Sequence, residues 1–359
     1  MARKPKICVI GGGTFGVMHL RTFRQLENEG RCEFCGLADI NEELLAKRRE
    51  EFGMRTYKDF AEMIAKEKPD GVTVATPDHL HRKIALEAIR RGVHVLVEKP
   101  LDVTVEGCRE LVDAAAQKGV LLEVDFHKRF DPYHQELCRK AREGKLGEIE
   151  YGYAWMEDRI EIPRDWWPSW AKDSSPAWFL AVHMVDLFLW ITRKRGKRVF
   201  ATGVRKKLPS IGVSAWDSIN LLAELEGEVT FQCQSSWILP DSFEAIVNQG
   251  IRVVGTEGVM EVDSQDRGAE SCFSSDGKMV TYNLGFFREA KDKSGKVVYG
   301  GYGIESIADF AENLTYLLAG GKLAELAEKY PDGQDGLEAT KIVAAAHESI
   351  ATGKVIEIG

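Results

Sequence analysis

One stretch of this chain would bury two ionisable groups. Between Pro176 and Ile191 it runs through Trp178, Phe179, Leu180, Val182, Met184, Val185, Leu187, Phe188, Leu189 and Trp190. Read as a helix over 175–191, that segment is apolar on every side, and such a helix is buried. Its ionisable residues, His183 and Asp186, are spaced i, i+3 and share a face. Burying both without partners would cost several kcal/mol. Either they pair with each other as a satisfied core couple, or the histidine faces a cleft while the aspartate orients it or holds a substrate. An imidazole with an ordinary pKa of about 6.5 can take a hydroxyl proton near neutral pH. The second candidate is Lys99, in Glu98-Lys99-Pro100, directly after the apolar strand Val93 to Val97. It either starts a surface turn or is a cation held at a ligand-binding edge, where it would stabilise charge developing on an oxygen. Pro100 would fix the turn, with a cis bond as one option.

The elements that must position these groups begin at Lys6-Ile-Cys-Val-Ile-Gly-Gly-Gly-Thr-Phe-Gly16. Four apolar residues run into glycines, as a buried strand does when it ends in a tight turn. Gly11, Gly13 and Gly16 keep the GxGxxG spacing of a dinucleotide site: one glycine for the turn, one for close approach of a pyrophosphate, one for helix packing. The helix expected over 14–27 then aims its positive end at the phosphates. Asp39 closes a second strand over 32–38, where a carboxylate accepts both ribose hydroxyls and repels a 2′-phosphate, so NAD is favoured over NADP. Lys47, Arg48 and Arg49, two turns down a helix, are expected to face water. Thr76-Pro77-Asp78-His79-Leu80-His81 follows the strand Val72 to Ala75, at the carboxyl edge where open α/β sheets bind ligands. The alternative there is a helix start with Asp78 near its cap and the histidines solvated.

Strands over 6–10, 32–38, 71–75, 93–97 and 120–125 alternate with helices over 14–27, 41–51, 58–66, 79–91 and 104–118. That alternation predicts an N-terminal Rossmann-type α/β domain with a parallel sheet. After Phe126-His127-Lys128-Arg129-Phe130 and a helix over 133–143 the pattern changes. Strands are expected over 147–157, 198–207, 216–225, 228–237, 246–255, 258–263 and 278–284, in a mostly antiparallel sheet. Further helices fit 303–320 and 335–352, and 263–275 and 289–301 read as loops. The domains expected are 1–128, for the dinucleotide, and 129–359, for substrate and oligomerisation, the last helix packing back towards the first. The 359 residues suit two domains. The net charge of −8, with no basic block, argues against nucleic acid or an anionic membrane as partner. Seven cysteines suit no disulfide framework. Cys32 and Cys35 lack the second pair or histidine cluster of a zinc site and read as core thiols, so no metal is expected. The strand beginning almost at the N-terminus leaves no room for a signal peptide, and the longest apolar run is too short to span a bilayer. A reducing, cytoplasmic setting is expected.

Six of the eight tryptophans lie between Trp155 and Trp190. Trp166, Trp167 and Trp170 fall in a polar, proline-containing loop, where flat rings could stack on a sugar or instead belong to core or a subunit interface. With the Gly11–Gly16 turn, Ala38-Asp39, Thr76-Pro77 with His81, Glu98-Lys99-Pro100, His127-Lys128-Arg129-Phe130, His183 with Asp186, Asp335-Gly336-Leu337-Glu338-Ala339 and the tail Ser349–Lys354, the chain resembles the Gfo/Idh/MocA family of NAD(P)-dependent oxidoreductases. The resemblance spans essentially the whole chain. It implies a Rossmann domain followed by a C-terminal α/β domain whose large, mostly antiparallel open sheet packs against another subunit, as a homodimer or homotetramer. It implies NAD held by Gly11, Gly13, Thr14, Phe15, Gly16, Asp39, Ile40, Thr76, Pro77, His81, Glu98 and Lys99. It implies oxidation of a secondary alcohol on a sugar, sugar derivative or cyclic polyol, with Lys99, His183 and Asp186 catalytic and His127, Arg129, Trp166 and Trp167 near substrate. Two departures stand out: Phe179 where many family dehydrogenases have Asp, and Asp78 where Asn is common. The lost carboxylate keeps two other family outcomes open, an NAD-dependent glycoside hydrolase that oxidises transiently and a non-catalytic NAD-binding regulator.

Overall fold

The computed structural model describes residues 3–266, 268–273 and 277–359. The loop expected over 263–275 therefore includes positions that lie outside the described residues. The chain forms two compact units: residues 1–131 with 285–337, and residues 132–284 with 338–359.

In the first unit β1 (Lys6–Ile10), α1 (Thr14–Asn28), β2 (Glu33–Ala38), α2 (Glu42–Phe52), β3 (Arg55–Tyr57), α3 (Phe60–Glu67), β4 (Gly71–Val74), α4 (His81–Arg90), β5 (His94–Val97), α5 (Val105–Lys118) and β6 (Leu122–Val124) follow in turn. The six strands lie parallel in the order β3-β2-β1-β4-β5-β6. The strand order reverses between β1 and β4, so the turns leaving those strands part to opposite sides and open a crevice at the carboxyl edge. The core is built from Ile7, Val9 and Leu37 on the strands and Leu20, Phe23 and Leu26 on α1. Ile307, Phe310 and Leu314 of the helix Tyr302–Leu318 complete it. Two expectations are corrected here. Strand β3 has only three residues, too few to show a period. Residues 285–337, expected in the second domain, pack in the first unit. The apolar face of the helix Tyr302–Leu318 was readable, but a period does not say which sheet it will cover.

In the second unit α6 (Pro132–Arg142) precedes β7 (Ile149–Arg159), and after the helix Val182–Thr192 come β8 (Gly196–Val204), β9 (Ser218–Leu225), β10 (Thr230–Leu239), β11 (Val247–Gly255) and β12 (Gly258–Asp263). A seven-stranded sheet runs β12-β11-β7-β10-β9-β8 and ends on the strand Ile356–Glu357. Only the β7–β10 pair is parallel. The expected strand over 278–284 reduces to Val280–Thr281, paired with Glu270–Ser271 in a separate two-stranded ribbon. The seventh place in the sheet goes instead to the C-terminal Ile356–Glu357, too short to be read from sequence. Alternate residues face opposite ways, as in a sheet covered on one side. Ala154, Met156, Phe231, Cys233, Leu221 and Ala223 are buried, while Tyr151, Tyr153, Gln232, Leu222 and Phe200 are exposed. The helix Gly333–Thr352 begins in the first unit and continues in the second.

Candidate active site

In the first unit the glycine turn does what its spacing requires. Gly11 sits at φ +98°, and a Cβ there would lie 2.2 Å from the carbonyl oxygen of Ala75, so only glycine lets β1 turn against the end of β4. A Cβ on Gly16 would lie 2.1 Å from the Gly11 carbonyl oxygen, while one on Gly13 would project into open space. Helix α1 opens on Gly13 rather than on a side-chain cap, and its first turn, Thr14-Phe15-Gly16, is uncharged. Uncovered backbone at the positive end of a helix fits an anion such as a pyrophosphate. Asp39 is fixed at the end of β2: one carboxylate oxygen accepts from Gly12 N–H and the other from Asn41 N–H, each at 2.8 Å. Arg48 does not simply face water. Its Nε donates to the Gly12 carbonyl at 3.0 Å and its Nη1 to Glu51 at 2.7 Å, so a guanidinium braces the turn beside Asp39.

At the end of β5, Glu98 and Lys99 are 8% and 7% exposed and the Lys99–Pro100 bond is cis. Lys99 is thus a buried cation at the carboxyl edge, not a surface turn. Its Nζ lies 5.9 Å from the centre of the Phe15 ring, the first turn of α1. Glu98 accepts from His19 Nε2 at 3.1 Å. Burial pushes the Glu98 carboxyl up, but the His19 hydrogen bond and the charges of His19, Lys99 and His81 reverse this and leave it below its usual range. Asp125, just beyond β6, has a carboxylate oxygen within 4.8 Å of ligand atoms of both His19 and Glu98. Burial first, then the Glu98 charge, hold its carboxyl well above the usual range, so the protonated form is favoured there. His79 is exposed, whereas His81 is buried with both ring nitrogens against backbone carbonyls. His127 stacks on Tyr302 at 5.8 Å and lies near Phe286, and Arg129 donates to Asp335 at 2.9 Å.

In the second unit the histidine helix is buried over most of its surface, with His183 and Asp186 at 3% and 0% exposure. Phe188 stacks on Phe231 of β10 at 4.4 Å, which sets the helix against the sheet. The single helix expected over 175–191 is instead a π-helical turn, Ala177–Ala181, leading into the α-helix Val182–Thr192. Such turns are wider than the α-helix and recur at functional sites. Phe179 lies in that turn and joins an aromatic cluster, with Trp170 at 5.1 Å, Trp167 at 5.8 Å and Trp237 at 6.1 Å. Trp166 packs edge-on against Trp167 and is 43% exposed. Ile40, directly after Asp39, is 84% exposed.

Two family models match consecutive parts of the chain: an oxidoreductase family with an NAD-binding Rossmann fold over residues 5–126, and the GFO/IDH/MocA C-terminal domain over residues 134–261. The chain belongs to the Gfo/Idh/MocA oxidoreductase family. Its first unit is therefore an NAD-binding Rossmann domain. Among its Gfo/Idh/MocA relatives, an inositol 2-dehydrogenase of Rubrobacter xylanophilus is 23% identical over 255 residues, which is 71% of this chain and 70% of the relative. A D-apiose dehydrogenase of Paraburkholderia graminis is 24% identical over 98% of this chain and 89% of its own. A solved myo-inositol 2-dehydrogenase from Lactobacillus plantarum superposes with a TM-score of 0.79 at 17% identity, covering 99% of this chain and 100% of the other. These likenesses fix the fold. Sequence reasoning missed His19, Asp125 and the reach of Arg48. A histidine on the buried face of α1, and two acids in the apolar run Val120–Asp125, were the available signals. Nothing in the spacing of Arg48 shows that it reaches back to Gly12.

Proposed function

We propose that this protein is an NAD-dependent dehydrogenase that moves a hydride between nicotinamide and a secondary alcohol of a sugar, sugar derivative or cyclic polyol. The observation that carries this reading is the burial of Lys99 at the carboxyl edge beside the glycine turn, since a cation is rarely taken from water without a task. Bound NAD supplies the hydride acceptor. Gly11, Gly13 and Gly16 would leave room for its pyrophosphate at the end of α1, and Asp39 would hold the ribose hydroxyls. Thr14, Phe15, Ile40, Thr76, Pro77, Glu98 and His81 would complete the surroundings. During oxidation His183 takes the hydroxyl proton, and Asp186 orients that imidazole or holds a neighbouring hydroxyl. Lys99 stabilises the negative charge that grows on the same oxygen. The names of the relatives, an inositol and an apiose dehydrogenase, support a polyhydroxylated substrate. Trp166 and Trp167, the latter packed against Phe179, suit a substrate with a flat C–H face better than a second carboxylate would. We also propose that the exposed face of the large sheet joins subunits into a homodimer or homotetramer.

The test is the purified protein with NAD, followed by absorbance of NADH, against inositols, aldoses, glycosides and sugar acids. Reduction of NAD by at least one secondary alcohol is expected. Cleavage of a glycoside with no NADH accumulating, or NAD binding with no turnover of any of these, would contradict the reading.

A further inference from the structure

The His81 ring, 1% exposed, is held between two backbone carbonyls: Nδ1 lies 2.7 Å from the Pro100 oxygen and Nε2 lies 2.8 Å from the Thr76 oxygen. Both partners can only accept. A neutral imidazole has one N–H and would leave its other nitrogen lone pair facing an oxygen lone pair, whereas the imidazolium donates at both ends. A buried cation requires a counter-charge, and Glu98, two residues before Pro100, is an anion in its field. Around Glu98 stand Lys99 on the same turn, His19 on α1 and the Asp125 carboxyl beyond β6. Asp78 and Arg82 flank the ring along its own segment. The two carbonyls belong to the two turns that matter most at this edge. Thr76 leaves β4 beside the glycine turn, and Pro100 follows Lys99.

We propose that His81 is a doubly donating imidazolium, a charged staple that ties the Thr76 turn to the turn carrying Lys99 and so acts as a positioning residue for that lysine. The positioning role rests on the proposed catalytic part of Lys99; the charged state of the ring does not.

The decisive experiment is a two-bond ¹H–¹⁵N correlation spectrum of the full chain carrying ¹⁵N-histidine, near neutral pH, with and without NAD. The chain has eight histidines, and the His81 signals are assigned by their loss in His81→Asn, or in His81→Gln if the first variant does not fold. Two protonated ring nitrogens are expected. One protonated and one bare nitrogen would overturn the proposal. The second measurement is kcat against pH for the variant. Removing a positive charge beside Lys99 should raise the pH at which that ammonium ionises, moving the profile upward by about half a unit or more. The optimum kcat should fall about tenfold to a hundredfold. A lower profile with an unmoved midpoint would overturn the positioning role. Were no alcohol turned over by the unaltered protein, the proposed function would fail while the spectrum still decided the staple.

Discussion

Lys99 and Asp39 show how much a single residue type conveys at the end of a buried strand. A lysine two residues past a short apolar strand has either escaped to the surface or been retained, and its 7% exposure decides for retention. Lys99→Met keeps the stem and removes the charge. Turnover is expected to fall by about three orders of magnitude, as for loss of a strong oxyanion donor, while NAD binding measured by fluorescence titration is largely kept. Unchanged turnover would remove Lys99 from the mechanism. Asp39 has a narrower role. Its carboxylate is already oriented by the N–H groups of Gly12 and Asn41, so it would meet a ribose without rearranging. Asp39→Ala should weaken NAD by about tenfold to a hundredfold, the loss expected for hydrogen bonds to a charged group. It should also shift the NADP-to-NAD ratio towards NADP, because Arg48 stands beside the same turn. Calorimetry with both nucleotides checks this, and an unchanged ratio would count against Asp39 as the discriminating group. These residues were legible because each sits where a strand stops. Arg48 was not, since the Gly12 carbonyl it meets is distant in the chain and no local period encodes that contact; for His19 and Asp125 a buried helix face and an apolar run were signals of burial but did not name their partners.

At the scale of elements, the strand–helix alternation of the first unit could be read almost throughout, because each strand is a short apolar run closed by a turn residue. What could not be read lies where tertiary packing decides. The short β3, the π-turn before His183 and the assignment of Tyr302–Leu318 to the first sheet are of this kind. That last helix has a cost built into it. Asn313 donates to Glu123 of β6 at 3.2 Å and to Asp309 at 2.9 Å. Burial first, then the charges of Asp309 and Asp125, push the Glu123 carboxyl well up, and burial raises Asp309 to about 6. A carboxyl raised in the fold carries no penalty at acid pH, and costs stability as pH climbs from the unfolded value of about 4.3 through the folded one. Glu123→Gln keeps an acceptor for Asn313 and removes the titration. Thermal unfolding should therefore show the variant more stable than the parent at pH 8, by about 1 kcal/mol or some 2–4 °C, with the gain vanishing near pH 4. An equal gain at both pH values would mean that Glu123 does not titrate as argued.

For the whole molecule, the large sheet poses a question of company. Residues paired across neighbouring strands line up Tyr153, Gln232, Leu222 and Phe200 on its exposed face. Tyr153, Leu222 and Phe200 make this face the proposed subunit interface, since exposed apolar residues that cluster favour a partner surface. Leu222→Glu at its middle should convert the proposed oligomer to monomer in light scattering, and an unaltered mass would move the interface elsewhere. Among the described residues, no helix is long and apolar enough to cross a membrane. The proposed function sets Lys99 and His183 to work on one substrate oxygen. Groups that act together in one transition state lose their effects together rather than in product. The most direct measurement is kcat/KM for Lys99→Met, His183→Asn and the double variant on the alcohol found by screening. The double variant is expected to be about as slow as the worse single one. If the two losses simply multiply, the groups act independently, and the account of a shared proton and charge on one hydroxyl is wrong.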